Sequence, residues 1–213
     1  MKTMTDIEQD LDQLVRSHYY SEDYELEWAA KNYFDQLAPE EQDHMAAVLL
    51  TRLSGDASLS DVTIATRLGL SSLTPSLASL LNREGSSSAM SRSILAALSH
   101  QPDERAYEAV ERFMDSDQEG EALVCLCRMN FQRALSHFRW ALQKDHLHNF
   151  CLHALHEVKL ETGLHGVKKL IELILEPDRK TLAPHLNKIL HSKSGSFNPF
   201  SNEELEALTA LLV

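Results

Sequence analysis

Apolar residues recur along this chain with the spacing of amphipathic helices. In residues 131–145 they occupy one helix face at Phe131, Ala134, Leu135, Phe138, Ala141 and Leu142. No segment shows the alternation of apolar and polar residues that is typical of a half-buried strand. The 35 Leu and 20 Ala outnumber the 6 Ile and 8 Val, which also favours helix over strand. The pattern therefore predicts an all-α protein.

Proline and glycine mark the predicted ends of the helices. Helices are expected to begin at 38–40, 74–75, 101–103, 176–178 and 197–199, where a proline stands in or before the first turn. Gly55 and Gly69 are expected to end helices, and 84–88 is expected to be a loop. The predicted helices are about 10–16 residues long, with short connections, as in packed helical proteins.

The helix ends repeat with a period near 30 residues. One ladder of apolar positions has separations of 31, 30, 28 and 29 residues and consists of Leu37, Leu68, Leu98, Leu126 and Leu155. A second ladder has separations of 31, 32, 29 and 32 residues and consists of Leu50, Leu81, Phe113, Leu142 and Ile174. Two ladders with one period predict a stacked array of helix pairs, with a non-repeating helical bundle as the alternative.

Two segments carry a family resemblance. Residues 149–178 contain two predicted helices. The first contains Ala154 and Leu155. The second is followed by an acidic turn, and its apolar face consists of Val167, Leu170, Ile171 and Ile174. Residues 74–81 likewise resemble a second helix that begins at a proline. This pattern, over roughly residues 22–192, resembles the HEAT-like α-solenoids.

The resemblance implies a HEAT-like α-solenoid of about five helix pairs, wound as a right-handed superhelix. Its second helices would line a concave binding surface, and no reaction is implied. We expect a single domain over 1–213, with an N-terminal helix or cap at 1–20, repeats at 22–192, a loop at 193–200 and a C-terminal capping helix at 201–213.

The charge is strongly acidic and unevenly distributed. The chain has 20 Lys and Arg against 32 Asp and Glu, a net charge of −12. The net charge is −9 over 1–60, −5 over 61–127, +5 over 128–193 and −3 over 194–213. This balance disfavours a protein that coats nucleic acid. Only 7 Gly and 6 Pro also disfavour sheet proteins and glycine-rich nucleotide-binding folds.

The cysteines and the hydropathy predict the compartment. Three cysteines, an odd number, lie inside apolar helical patterns, which disfavours a secreted disulfide framework. The first residues lack the apolar core of a signal peptide, and no apolar run is long enough to span a membrane. We expect a cytoplasmic protein that does not enter the membrane.

Three possible chemical sites compete with plainer interpretations. Residues 65–71 resemble a DNA-reading helix-turn-helix, but Pro75 falls inside the would-be recognition helix, so an ordinary repeat unit is favoured.

Eight of the 11 His lie in 137–191, which could indicate a metal site. However, no two pairs of ligands stand at a defined spacing, and the iron-binding His–Glu pairs of HEAT-type hydroxylases do not recur. Cys125 and Cys127 are expected to be buried and inert.

A charged face is the strongest candidate for a site. Arg133, His137, Trp140 and Lys144 share one face of the helix that starts at Phe131. One repeat earlier the equivalent positions are all acidic, at Glu104, Glu108, Glu111 and Asp115, and one repeat later they are His165 and Lys169.

These faces predict a groove that changes from acidic to basic, with Trp140 as a contact anchor. The alternative is salt bridging between neighbouring helices on a solvated surface.

We therefore expect a non-catalytic protein–protein interaction module, such as an adaptor, an inhibitor or an immunity-type protein. Its acidic surface favours a basic protein partner, or a nuclease for which the acidic face would mimic nucleic acid. No catalytic constellation, cofactor or metal site is predicted. The alternative is a HEAT-like nucleic-acid-binding or DNA-repair glycosylase-like protein that uses residues 128–193, and a histidine-based metalloenzyme is the third possibility.

Overall fold

The computed structural model describes residues 2–17, 23–83, 88–192 and 198–213, and these residues are helical with no strand among them. The structure thus confirms the all-α prediction for the part of the chain that it describes. Short 3-10 turns join several of the helices. The α-helices are α1 (Met4–Ser17), α2 (Asp23–Asp35), α3 (Pro39–Ser54), α4 (Leu59–Leu68), α5 (Thr74–Leu81), α6 (Ser88–His100), α7 (Tyr107–Glu111), α8 (Glu119–Leu142), α9 (His148–Leu175), α10 (Arg179–Leu190) and α11 (Asn202–Thr209).

Local capping explains where these helices begin and end. Pro39 occupies the first turn of α3, as predicted. Ser58 caps α4, because its hydroxyl accepts from the Asp61 backbone N–H at 3.2 Å while the Asp61 carboxylate accepts from the Ser58 N–H at 2.9 Å. Gly69 ends α4 with φ of 69°, a left-handed conformation that favours glycine. Residues 84–87 and 193–197, where loops were predicted, lie outside the described residues.

The chain divides into two compact units, residues 1–113 (unit 1) and residues 114–213 (unit 2). In unit 1 alternate helices pack against each other. One layer consists of α2, α4 and α6, and the other consists of α1, α3, α5 and α7. Each helix therefore lies beside the helix two places along the chain, which is the neighbour relation that a stack of helix pairs requires. The prediction of one repeat domain over 1–213 stays a prediction.

Unit 2 contains two long helices that are each broken once. α8 changes direction at Asn130, whose φ of −160° and ψ of 95° are not helical. The Asn130 side-chain oxygen accepts from the Arg133 N–H at 3.0 Å and so caps the arm that starts at residue 131, where a helix start was predicted. α9 is broken at Gly163. α8 and α9 pack against each other, α10 packs on both, and α11 packs on α9 and α10; Phe138 of α8 is fully buried in this unit.

The predicted apolar ladders are buried at most positions. All five members of the first ladder are buried, as are Leu81, Leu142 and Ile174 of the second. Leu50 is an error of that ladder, because it is 40% exposed while Leu49 and Leu53 take the core positions of α3. Phe113 is only half-buried. The ladder is therefore one residue out of register at α3, where six consecutive apolar residues, 45–50, leave the helix phase ambiguous.

Candidate functional site

The four predicted acidic residues do not share one continuous helix. Glu104 lies in the 3-10 turn Glu104–Ala106, Glu108 and Glu111 lie in α7, and Asp115 ends the 3-10 turn Arg112–Asp115. Glu104, Glu108 and Asp115 are exposed, whereas Glu111 is half-buried. The changes of helix type shift the angular spacing, because a 3-10 helix has about 3.0 residues per turn and an α-helix 3.6. A shared face for all four residues therefore stays a prediction.

Two of the predicted basic-face residues are in contact at the end of the second arm of α8. Lys144 places its Nζ 4.1 Å from the centroid of the Trp140 ring, a cation–π contact. Trp140 is half-buried, Arg133 is exposed and His137 is half-buried. The orientation of this arm is set by the burial of Ala134, Phe138, Ala141 and Leu142 on its opposite side. The aromatic ring and the cation thus lie together on the outer face of one helix.

Arg139 joins this arm to the second arm of α9. Its guanidinium donates to the carbonyl oxygens of Leu173 at 2.6 Å and Ile174 at 3.1 Å. The two second arms therefore lie side by side, and Lys169 and His165 are exposed on the α9 arm. We call Arg133, His137, Trp140, Lys144 and Lys169 the basic patch of unit 2.

The nine residues of the predicted groove divide between the two units. Glu104, Glu108 and Glu111 belong to unit 1, whereas Asp115 and the basic patch belong to unit 2. A single groove through both sets stays a prediction.

Most cations of unit 2 are already engaged inside the unit. Arg128 lies 3.2 Å from Glu157 with both side chains largely buried, Lys159 lies 2.7 Å from Glu204, and Lys188 lies 2.8 Å from Asp145. The ammonium groups of Lys159 and Lys188 hold the pKa values of Glu204 and Asp145 below their usual range. A nucleic-acid track along 128–193 would have to compete with these pairs for its phosphate contacts.

Unit 1 presents carboxylates without matching cations. It has 9 Lys and Arg against 19 Asp and Glu, a net charge of −10. Arg52 pairs with Asp12 and Asp61, Arg105 pairs with Asp103, and Lys2 pairs with Asp10. Four exposed carboxylates of unit 1 have neither an ion pair nor a hydrogen bond with any described residue, and these are Glu8, Glu40, Asp43 and Asp56.

Two of these carboxylates line a polar cleft of about 400 Å³ between α1 and the end of α3. Glu8 and Asp56 stand in this cleft together with Asp12, Arg16 and Arg52. Arg52 is committed to Asp12 at 2.9 Å, so the cleft keeps an acidic excess. A cationic side chain of a partner would meet complementary charge here.

The histidines and the cysteines do not come together. His146 contacts Glu119 at 2.5 Å, the buried His148 contacts the Leu142 carbonyl oxygen at 3.0 Å, and His153 contacts Glu157 at 3.1 Å. Within the described residues no three His, Cys, Asp or Glu side chains converge on a point that could hold a metal ion.

All three thiols are buried and unpaired by disulfides. Burial raises the pKa of Cys125 and of Cys151 to about 12, and it raises the pKa of Cys127 well above its ordinary value. Thiols in this state are poor nucleophiles, because the reactive form is the thiolate. The prediction that Cys125 and Cys127 are buried is confirmed.

The segment that resembles a DNA-reading motif forms a helix pair of unit 1. α4 ends at Leu68, Gly69 begins the turn, and α5 starts at Thr74. Five of the eight residues of α5 are buried, which leaves little of this helix to enter a groove of DNA. The repeat-unit interpretation therefore fits this segment better.

One surface feature, the contact between Trp28 and Arg67, was not predicted from the sequence. Trp28 on α2 is 42% exposed, and the Arg67 guanidinium carbon of α4 lies 4.1 Å from its ring centroid. Both tryptophans of the chain therefore carry a cation on the ring. Lys144 stands four residues after Trp140 and is visible in the helix pattern, whereas Arg67 is brought to Trp28 by the packing of two helices.

No helix in the described ranges combines the length and the apolar character needed to cross a membrane. Comparisons with protein-family models, with curated proteins and with solved structures found no match to this chain.

Proposed function

We propose that this protein is a non-catalytic protein-binding module built as a HEAT-like α-solenoid. The layered packing of alternate helices in unit 1 supports the solenoid, because such packing leaves one face of each layer to solvent. The inert thiols and the separately engaged histidines offer no group poised for catalysis.

The observation that carries the proposal is the uncompensated charge of unit 1. Lys2, Arg52 and Arg105 are used in internal pairs, while the carboxylates of Glu8, Glu40, Asp43 and Asp56 are exposed without an ion pair to a described residue. A basic protein surface would be attracted to this unit, and such attraction speeds the encounter and depends on salt.

The basic patch of unit 2 supplies an anchor of another kind. Trp and Arg are the side chains that most often dominate the energy of interfaces, and Trp140 stands on an outer helix face with Lys144 stacked on it. We propose that a partner covers Trp140 and thereby removes its remaining exposed apolar surface from water.

The proposal is tested by capturing partners from the source cell and measuring binding of the purified partner to charge-reversal variants. Glu108→Lys in α7 is expected to weaken binding at low salt and to have a smaller effect at high salt. Trp140→Ala is expected to weaken binding about tenfold or more at both salt concentrations, because a buried anchor acts through contact. Asp117→Lys, an exposed acid outside the predicted set, is the matched control.

Three results would contradict this function. A partner whose affinity is unchanged by Glu108→Lys and by Trp140→Ala would show that the surfaces are misassigned. A steep salt-dependent shift of DNA, or firm retention on heparin, would favour the nucleic-acid alternative that uses 128–193. Stoichiometric metal in the purified protein would favour the metalloenzyme alternative.

A further inference from the structure

Trp28 and Arg67 form a second exposed aromatic–cation pair, on the layer of unit 1 that contains α2 and α4. The ring of Trp28 is 42% exposed and the Arg67 guanidinium carbon stands 4.1 Å from its centroid. Stacking on a ring holds a guanidinium with its N–H donors directed outward in its own plane. The pair is therefore a flat apolar surface edged by hydrogen-bond donors.

The Arg67 guanidinium makes no hydrogen bond or ion pair with any described residue. Its Nε is buried without an acceptor, so the two Nη groups supply the accessible donors. Other arginines of unit 1 are engaged: Arg52 with two carboxylates, Arg83 with the carbonyl oxygens that end α3, and Arg105 with Asp103. Arg67 thus differs from these in a unit that has an excess of carboxylates.

The nearest acid along the helix cannot serve Arg67. Asp61 stands on the same helix, but it accepts from the Ser58 N–H at 2.9 Å and the Ser58 hydroxyl at 2.6 Å, and its other oxygen lies 3.4 Å from Arg52. The capping of α4 therefore occupies this carboxylate, and the Arg67 donors stay available.

We infer that the Trp28–Arg67 pair docks a carboxylate side chain of a protein partner that is otherwise basic. A guanidinium held flat binds a planar carboxylate through two parallel N–H donors, which fixes orientation as well as energy. The apolar part of the docked segment would lie on the exposed area of Trp28.

The charge around the pair selects the class of partner. Unit 1 carries a net charge of −10, which repels a polyanion such as nucleic acid. The basic residues of such a segment would be attracted to the acidic surface of unit 1, and its single acidic residue would pair with the Arg67 guanidinium. That one pair would fix the position of the segment along the surface, because its charge is opposite to that of the other residues. The basic character of the partner rests on the proposed function, whereas the carboxylate is what this inference adds.

The test uses short lysine-rich peptides that contain one Glu, moved through the positions of the peptide, and a matched set with Gln in its place. The two tryptophans give two indole N–H signals in the NMR spectrum of the 15N-labelled full chain, and Trp28→Phe assigns one of them. We expect Glu peptides to shift the Trp28 signal and to bind about tenfold more tightly than the Gln peptides.

Variants of the cation make the test specific. Arg67→Gln should abolish the Glu–Gln difference, and Arg67→Lys should retain only part of it, because lysine keeps the charge without the paired donors. Arg92→Gln removes the same charge from an exposed position on α6, outside every candidate site, and should leave the difference intact. A thermal melt of each variant establishes that it is folded.

The outcomes separate the two proposals. Equal binding of Glu and Gln peptides, or a Glu–Gln difference that survives Arg67→Gln, overturns this inference and leaves the proposed function standing. Failure of both peptide sets to bind counts against the inference and against the basic partner. A single-stranded oligonucleotide that shifts the Trp28 signal in an Arg67-dependent way overturns the assignment to a protein carboxylate.

Discussion

The break in α9 at Gly163 leads to a prediction that can be worked out from the backbone. Gly163 has φ of 69° and ψ of −177°, a combination that is essentially restricted to glycine. A Cβ added there would meet nothing within 4 Å, so no steric contact contributes to the cost of a substitution. Gly163→Ala should therefore lower the free energy of unfolding by about 1–3 kcal/mol through backbone strain alone.

The chain cannot relieve this strain by straightening α9. The arm after Gly163 buries Val167, Leu170, Ile171 and Ile174. A continuous helix would carry this arm away from its core, and each large aliphatic side chain taken out of the core costs about 1.5–3 kcal/mol. In the Gly163→Ala variant, the bent helix with a strained residue 163 therefore has a lower free energy than a straightened α9.

The measurement is urea unfolding followed by circular dichroism, with a pair of asparagine substitutions as the control. Asparagine tolerates the left-handed helical region, so Gly69→Asn, at φ of 69° and ψ of 30°, should cost less than about 1 kcal/mol. Gly163→Asn should cost as much as Gly163→Ala, because ψ of −177° lies outside that region. Unchanged stability of Gly163→Ala, or an equal loss at both asparagine variants, would refute the reasoning.

Three further predictions concern unit 2. The three buried thiols should react with Ellman's reagent far more slowly in the native protein than in urea. The free energy of unfolding should also fall as the pH rises from about 9 toward 12. Unfolded thiols ionise near their ordinary pKa of about 8.5, whereas the folded thiols stay neutral. Arg128→Met should lower the free energy of unfolding by about 1–3 kcal/mol, since the Glu157 carboxylate, with a side chain only 15% exposed, would lose its guanidinium partner and keep only the contact with the exposed His153. Adding Glu157→Leu should recover much of that loss in a double-mutant cycle. Lys159→Met should speed hydrogen exchange in α11. The Lys159 ammonium donates to the Pro199 carbonyl oxygen at 2.8 Å and to the Glu204 carboxylate at 2.7 Å, and both bonds would be lost. Exchange in α11 unchanged from wild type would show that Lys159 does not hold the helix in place.

Helix boundaries were predictable where local chemistry sets them. The proline at the start of α3 and the glycine at the end of α4 act within one turn of the chain, so their effect is visible in the sequence. The helix start at residue 131 was predicted from its apolar stripe, although the capping role of Asn130 was not. The alternation of 3-10 and α-helical turns between Glu104 and Asp115 was not predictable, because an acidic helical pattern does not distinguish the two.

The candidate sites show the same division. Trp140 and Lys144 stand four residues apart in the sequence, and they meet where Lys144 follows the end of α8, so proximity along the chain brings them together. Trp28 and Arg67 are far apart in sequence and meet only because α2 packs on α4. Exposure could not be predicted for Trp28, since a large aromatic in an amphipathic helix is equally compatible with the core.

Propensity, capping and composition act locally, so the helical class, several helix ends and the distribution of charge along the chain were already contained in the sequence. Only the tertiary structure decided which charges are consumed in internal pairs and which remain on the surface. Arg52 and Arg67 look alike in the sequence, yet one is held by two carboxylates and the other lies on a tryptophan with its donors accessible. That difference arises from packing between distant segments, where the position of a side chain depends on the helices beside it.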